Sequence, residues 1–390
     1  MSKRTTVVVI GASHAGLAVS HKLLRQASSA CIILISPSDK YYFNLSTPRF
    51  LVKPMSLQPN QYLYDILPTF DEYPSGAFNF VKGLVTGIDF ASKSVQVSSA
   101  KSSVESSTVA FDYLVIASGS TTPAAVGQGS LKLPFKTTPF EDTKEAIADA
   151  QARLEAATSV VIGGGGPLGV ELAGELAETA GVKTITLVSK TSMLLHDATE
   201  TVQRKAEALL RKKNVEVLKN AAVEAAEQKA DGTGWTVTLS TGRTIAADEY
   251  ISTTGSIPNN QFVPKQCLDH HGWVKVDEYL RIVDGGKSRS DTYAVGDITF
   301  YPDRLLSRVS AQASTVASNI TASIASGLSP NTRLTKYSPA AQRRMMVVPV
   351  GQSTGTGHFG GWTLCGFLVW FFKGRDFLTY EAPKFLRGKQ

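Results

Sequence analysis

The stretch that decides the fold is Ser159-Val160-Val161-Ile162-Gly163-Gly164-Gly165-Gly166-Pro167-Leu168-Gly169-Val170-Glu171-Leu172-Ala173. Its opening is a short β-branched run, as a strand buried on both faces requires. Gly164, Gly166 and Gly169 complete a GxGxxG turn, and a helical pattern follows at once. The first glycine makes the tight turn. The second admits backbone N–H groups to a pyrophosphate, and the third lets helix and strand pack closely. The helix N-terminus then faces the phosphates. A bare GxGxxG is weak evidence. The strand before it, the helix after it and the apolar run at 183–188 make it a dinucleotide-binding βαβ unit.

The same layout stands at the start of the chain. Thr6-Val7-Val8-Val9-Ile10 leads into Gly11-Ala12-Ser13-His14-Ala15-Gly16. Ser13 replaces the middle glycine and is small enough to let backbone approach a phosphate. The second strand of this unit ends at Ser36, which can hydrogen-bond a ribose. In the later unit the strand ends at Ser189-Lys190. Neither copy carries the carboxylate that would bind a ribose 2′-hydroxyl. Without it, a 2′-phosphate meets no repulsion, and Lys190 offers it a partner. This favours NADPH, or dual use with NADH, over strict NADH.

Three further runs fit the architecture. Residues 111–120 form a strand ending in small residues, which puts Ala117 and Gly119 beside the first cofactor. Residues 250–255 repeat that form and put Gly255 beside the second. Residues 291–297 form a strand ending in Gly296-Asp297, and an aspartate there can accept from a ribityl hydroxyl. The expected organisation is a first unit in two parts, 1–120 and 250–335. A second unit, 121–249, is inserted between them, and a C-terminal segment spans 336–390. Residues 98–108, rich in Ser and charge, read as a loose hairpin tip.

Composition bounds the rest. With 43% hydrophobic and 19% charged residues the chain is a folded one. The net charge of +7 comes from scattered Lys and Arg without a nucleic-acid motif, so anionic cofactors or an anionic membrane surface explain it better than nucleic acid. Cys31, Cys267 and Cys365 lie far apart. They argue against a disulfide framework or a metal site and for a reducing compartment. Residues 1–4 run straight into a strand, leaving no expected signal peptide, and residue 2 is not the glycine that myristoylation needs. The expected location is cytoplasmic, with a peripheral membrane contact open to the C-terminal segment.

The ordered set of motifs resembles the two-dinucleotide-binding flavoproteins. More narrowly, it is similar to the small apoptosis-inducing-factor-like proteins of the ferroptosis-suppressor type. The distinguishing stretch is Met345-Met346-Val347-Val348-Pro349-Val350-Gly351-Gln352, then Gly360-Gly361-Trp362 and Phe372-Lys373-Gly374-Arg375-Asp376-Phe377-Leu378. The resemblance implies an α/β fold of two Rossmann-like domains in a glutathione-reductase-like arrangement, with hydride passing from NAD(P)H to FAD and electrons to a quinone. It implies that Gly11, Ser13, Gly16 and Asp297 hold FAD and that Ala311-Gln312-Ala313 starts a helix beside the flavin. Gly164, Gly166 and Gly169 with Ser189 and Lys190 would hold the nicotinamide cofactor. Glu171 would orient the nicotinamide, and Lys373 would stabilise charge on the reduced flavin or the quinol. Glu175 lies one turn beyond Glu171, on the same helical face.

The family's aromatic-last Leu-Phe is reversed here to Phe377-Leu378. His358 is expected in a surface loop. The aromatic run 362–372 suits a membrane interface, packing against the flavin unit or a homodimer face. Three other readings stay open at this level: a reductase of an iron–sulfur protein, a tailoring oxidoreductase acting on a soluble metabolite, and a cofactor-binding signalling protein with little turnover.

Overall fold

The structure, a computed structural model, describes residues 4–99, 106–136, 142–181, 184–302, 304–327, 329, 332–339 and 345–389. Its largest sheet has eight strands in the order Arg281–Asp284, Lys287–Ala294, Tyr113–Ile116, Thr5–Ile10, Ala30–Ser36, Phe78–Asp89, Ser94–Ser99 and Ser106–Ala110. Thr5–Ile10 pairs in parallel with Ala30–Ser36 on one side and Tyr113–Ile116 on the other. Its C-terminal end therefore opens at a switch point, where doubly wound sheets leave a crevice for ligands. Val7, Val8 and Val9 are fully buried, which accounts for the unbroken apolar run. The hairpin read around 98–108 has its flanks in register from Ser94↔Ala110 to Ser98↔Ser106. Its tip, 100–105, lies outside the described residues.

A second, fully parallel sheet orders Val215–Leu218, Thr184–Val188, Ser159–Gly163 and Glu249–Ser252. Glu249–Ser252 straddles the expected boundary at 249/250 and pairs inside this sheet. A three-stranded antiparallel meander, residues 223–247, covers one face around Trp235 and Tyr250.

The two fingerprints repeat the same backbone hydrogen bonds. Gly11 N–H donates to the Ile35 carbonyl at 2.8 Å, and Gly164 N–H to the Val188 carbonyl at 2.8 Å. Across the other neighbour, Ala117 N–H reaches the Ile10 carbonyl at 2.8 Å and Thr253 N–H the Gly163 carbonyl at 2.8 Å. The helices His14–Gln26 and Pro167–Leu176 then start from Ser13 and Gly166 as N-caps.

The C-terminal segment is a third small body. Strands Met345–Pro349, Gly355–Phe359 and Trp362–Thr363 form an antiparallel sheet, followed by short helical turns Gly366–Val369, Trp370–Gly374 and Ala382–Leu386. It packs on both fingerprint helices. A methyl group at Gly174 would sit 2.6 Å from the Gly351 nitrogen, so only glycine lets this close approach occur. At the other end Arg25 Nη2 donates to the Arg387 carbonyl at 2.5 Å.

Two expectations are corrected. His358 is not in a surface loop. It lies on the strand Gly355–Phe359, is 5% exposed, and its Nδ1 is 3.1 Å from the Gly360 carbonyl. Nor does residue 311 start a helix: the helix runs Leu306–Ser326, because the apolar Leu306 and Val309 already keep helical spacing with Ala313 on its buried face. Among the described residues no helix is long and apolar enough to cross a membrane.

Candidate functional site

The first cleft follows from the switch point. A 420 Å³ cavity lies over Gly11, Ser13, Ser36 and Ala117, and a 130 Å³ cavity adjoins it over His14, Gly119, Lys136 and Asp297. Both share Ser13, Ala117, Ser118, Ser120 and Asn259, so they form one elongated groove. The returning chain closes it: Asn259 Nδ2 donates to the Ser118 carbonyl and Ser118 Oγ to the Asn259 carbonyl, each at 2.8 Å. Gly16 lines neither cavity. A Cβ there would land on the Gly11 carbonyl oxygen, so its role is the close packing of helix on strand. Gln312 also stands behind the groove, where its Oε1 accepts from Gly296 N–H at 2.7 Å and fixes the turn that presents Asp297. The groove has the glycine turn and the helix N-terminus that the pyrophosphate of FAD requires.

Asp297 accepts from Lys136 Nζ at 3.0 Å and from Ser120 Oγ at 3.2 Å. Burial alone would raise its carboxyl, but the Lys136 ammonium and these hydrogen bonds outweigh it and hold the pKa below the usual range. Lys136 was not legible in the sequence, since it sits in an irregular loop with no motif around it.

His14 adds a second unexpected element. Asn44 Nδ2 donates to the Phe135 carbonyl at 3.0 Å, which aims its Oδ1 at His14 Nε2, 3.2 Å away. His14 therefore carries its proton on Nε2 and accepts from the Tyr41 hydroxyl at Nδ1, 2.8 Å away. Burial lowers its pKa to about 4, so the ring is neutral.

The second cleft, 430 Å³, is lined by Gly164, Gly166, Ser189, Lys190, Thr254 and Gly255 among others. Gly169 again lies beneath, where a Cβ would strike the Gly164 carbonyl oxygen. Ser189 is buried and its hydroxyl is 2.9 Å from that of Thr191, which donates to the Met193 carbonyl at 2.7 Å. Ser189 thus braces the turn that exposes Lys190 at the rim. The cleft fits a nicotinamide dinucleotide by the same cradle logic as the first.

The residues proposed for chemistry meet each other. Lys373 Nζ lies 2.5 Å from Glu171 Oε1, across 202 residues. Burial pushes the Glu171 carboxyl above its ordinary pKa, and the Lys373 ammonium opposes this only in part. Phe377 is fully buried beside them, 5.5 Å from Lys373 Nζ and 4.9 Å from the Arg49 guanidinium. The reversed Phe-Leu therefore still places an aromatic ring here, at a left-handed φ of 53° for Phe377 and 64° for Leu378. Among the described residues no group of three metal-ligating side chains occurs.

Two glycine-turn clefts on one scaffold, with a carboxylate–ammonium pair fastening the C-terminal segment to the helix of the second, are the arrangement of a pyridine-nucleotide-dependent redox protein. The chain belongs to the pyridine nucleotide-disulphide oxidoreductase family, whose pattern matches residues 5–338. It is an NAD(P)H-dependent flavoprotein oxidoreductase. It is 33% identical over 370 residues to the oxidoreductase ptaL of Pestalotiopsis fici, covering 93% of this chain and 94% of that one. It is 24% identical over 392 residues to human ferroptosis suppressor protein 1, covering 98% and 95%. Its fold matches the sulfide:quinone oxidoreductase of Aquifex aeolicus with a TM-score of 0.75 at 19% identity, covering 98% and 92%. The thiol chemistry in the family's name has no partner here. Cys31, Cys267 and Cys365 are all free, and burial pushes the Cys267 thiol up to about 12.

Proposed function

We propose that this protein is an NAD(P)H:quinone-type reductase. The flavin, when bound, supplies hydride acceptance and two-electron redox chemistry. The chain's own groups position and tune it. Gly11 and Ser13 bring backbone to the pyrophosphate, Ser36 meets a ribose and Asp297 accepts from a ribityl hydroxyl. Lys190 meets a 2′-phosphate, which favours NADPH. Glu171 orders the nicotinamide end through the helix it sits on. Lys373 stabilises negative charge on the acceptor oxygen.

The observation that carries this reading is the Lys373–Glu171 pair. It fastens the apolar, aromatic C-terminal segment to the helix of the nicotinamide fingerprint. A flat apolar acceptor suits that lining, and the structurally similar Aquifex protein is a sulfide:quinone oxidoreductase. Purified protein should oxidise NADPH rapidly with a quinone panel and slowly with O₂ or an iron–sulfur protein. A preference for the iron–sulfur protein, or little turnover with any acceptor, would overturn the quinone reading.

The same segment suits a peripheral contact with an anionic membrane. Trp362, Phe367, Phe371 and Phe372 are exposed, and Arg375, Lys384, Arg387 and Lys389 lie exposed within the same 30 residues. Aromatics at the headgroup level beside basic residues are the physical signature of such a contact.

A further inference from the structure

Arg49 is the largest fully buried side chain among the described residues, at 1% exposure. Nothing in a short helix, Thr47–Val52, predicts a buried guanidinium. A buried charge is tolerated only when paired and hydrogen-bonded on every side, and Arg49 is. Its Nε and Nη2 grip the Glu175 carboxylate at 2.7 and 3.0 Å, with Glu175 itself 0% exposed. Nη2 also donates to the Gly374 carbonyl at 2.7 Å, and Nη1 to the Arg375 carbonyl at 3.3 Å. Its plane lies over the Phe377 ring.

The partners locate the consequence. Gly374 and Arg375 directly follow Lys373, in a widened turn, Trp370–Gly374, that then passes through two left-handed residues. The turn has bonds of its own, Arg375 N–H to the Trp370 carbonyl at 2.8 Å and Phe377 N–H to the Lys373 carbonyl at 2.7 Å, and Arg49 adds the bonds that tie it to the rest of the fold. Glu175 is one turn along the helix from Glu171. One helix therefore grips the turn twice: Glu171 takes the Lys373 ammonium directly, and Glu175 takes the backbone behind it through Arg49. Lys53 closes the set from the same side, 3.0 Å from Glu175 and 2.7 Å from Glu178.

We propose that Arg49 is a positioning residue for Lys373. It fixes the backbone of the turn, so that the ammonium is presented at one place relative to the nicotinamide helix. This rests on the reading of Lys373 as the acceptor-side cation. Arg49 touches neither cofactor cleft and acts only through the turn.

The test uses the full-length protein loaded with FAD. Arg49→Met alone would leave Glu175 with only Lys53, so the informative variant is Arg49→Met/Glu175→Met, in which both buried charges go together. Stopped-flow absorbance follows flavin bleaching by NADPH and then reoxidation by a quinone. Bleaching should stay within about twofold of wild type. Reoxidation should fall roughly tenfold, below the roughly hundredfold that a 1 Å misplacement can cost. Amide hydrogen exchange at 366–378 should rise, with the two fingerprint helices unchanged.

Combination with Lys373→Ala distinguishes positioning from general loosening. A residue that acts through Lys373 adds little once Lys373 is gone, so the triple variant should match Lys373→Ala within about twofold. Additive losses, equal losses in both half-reactions, or wild-type reoxidation in the double variant would each overturn the proposal. If Lys373→Ala alone reoxidises at wild-type speed, the reading of Lys373 falls, and the role of Arg49 with it. If only the Arg49 variant is silent, that reading stands and Arg49 is merely packed.

Discussion

At the scale of single residues, the two clefts differ in how firmly each key side chain is held. Asp297 is fixed by Lys136, Ser120 and the Gln312-braced turn. Asp297→Ala removes a charge-assisted acceptor worth about 1.5–3 kcal/mol. Flavin should then be retained at least tenfold less tightly, as read by fluorescence titration of the apoprotein, with NADPH still binding at the second cleft. Unchanged flavin affinity would remove Asp297 from the site. Lys190 stands at an open rim instead. Lys190→Ala should raise KM for NADPH about tenfold more than for NADH, because only NADPH has a 2′-phosphate to lose the contact. Equal changes for both cofactors would refute the assignment. Lys190 and Asp297 could be singled out in the sequence because each follows an apolar strand, at Ser189-Lys190 and Gly296-Asp297. Lys136, Tyr41, Asn44 and Arg49 could not. No motif marks them: Tyr41 lies on a three-residue strand and Arg49 in a six-residue helix, and only the folded chain brings Lys136 and Asn44 to the first cleft, Tyr41 to His14 and Arg49 to Glu175.

At the scale of elements, the first fingerprint helix has a titration of its own. His14 and His21 both lie on His14–Gln26. Burial lowers His21 to about 3 and His14 to about 4, from the ordinary 6.5. His21 is fully buried, with its ring stacked 4.1 Å from that of Phe70 and its Nδ1 2.9 Å from the Tyr73 hydroxyl. Because the folded pKa values lie below the unfolded ones, the unfolded chain binds more protons between them. The stabilisation is whole above pH 6.5 and is lost as pH falls towards about 4 and about 3. Each histidine contributes at most about 1.4 kcal/mol per pH unit in that window. Urea midpoints at about pH 7 and about pH 5 should separate less in His21→Phe than in wild type. An identical separation would mean that His21 is charged in the native state. The elements themselves were largely legible: both strand–turn–helix units fall where the glycine spacing put them. Boundaries suffered where polar residues sit inside a helix, as at Leu306–Ser326, or where a strand is glycine-rich, as at Gly355–Phe359.

At the scale of the whole molecule, the C-terminal segment has two separable duties to test. A chain ending at residue 359 should keep its flavin, because both glycine turns and Asp297 lie upstream. It should lose quinone reoxidation far more than flavin bleaching by NADPH, and it should no longer float with vesicles containing anionic lipid. Retained flotation would place the membrane contact elsewhere, or leave the aromatic face to a second copy of the chain. The fold of the two larger units could be read from repeated periodicity. The tertiary fastening of this segment could not, since its contacts span the chain.

That span has a bearing on biosynthesis. Arg49 leaves the ribosome 126 residues ahead of Glu175 and 325 ahead of Gly374. At about 5–20 residues per second, the guanidinium waits on the order of tens of seconds before its last backbone acceptors exist. Throughout that interval the nascent amino-terminal unit holds a cation that it cannot yet bury. Truncated translation products should therefore be recognised as incomplete by the cell's quality-control machinery, even after the first sheet has formed.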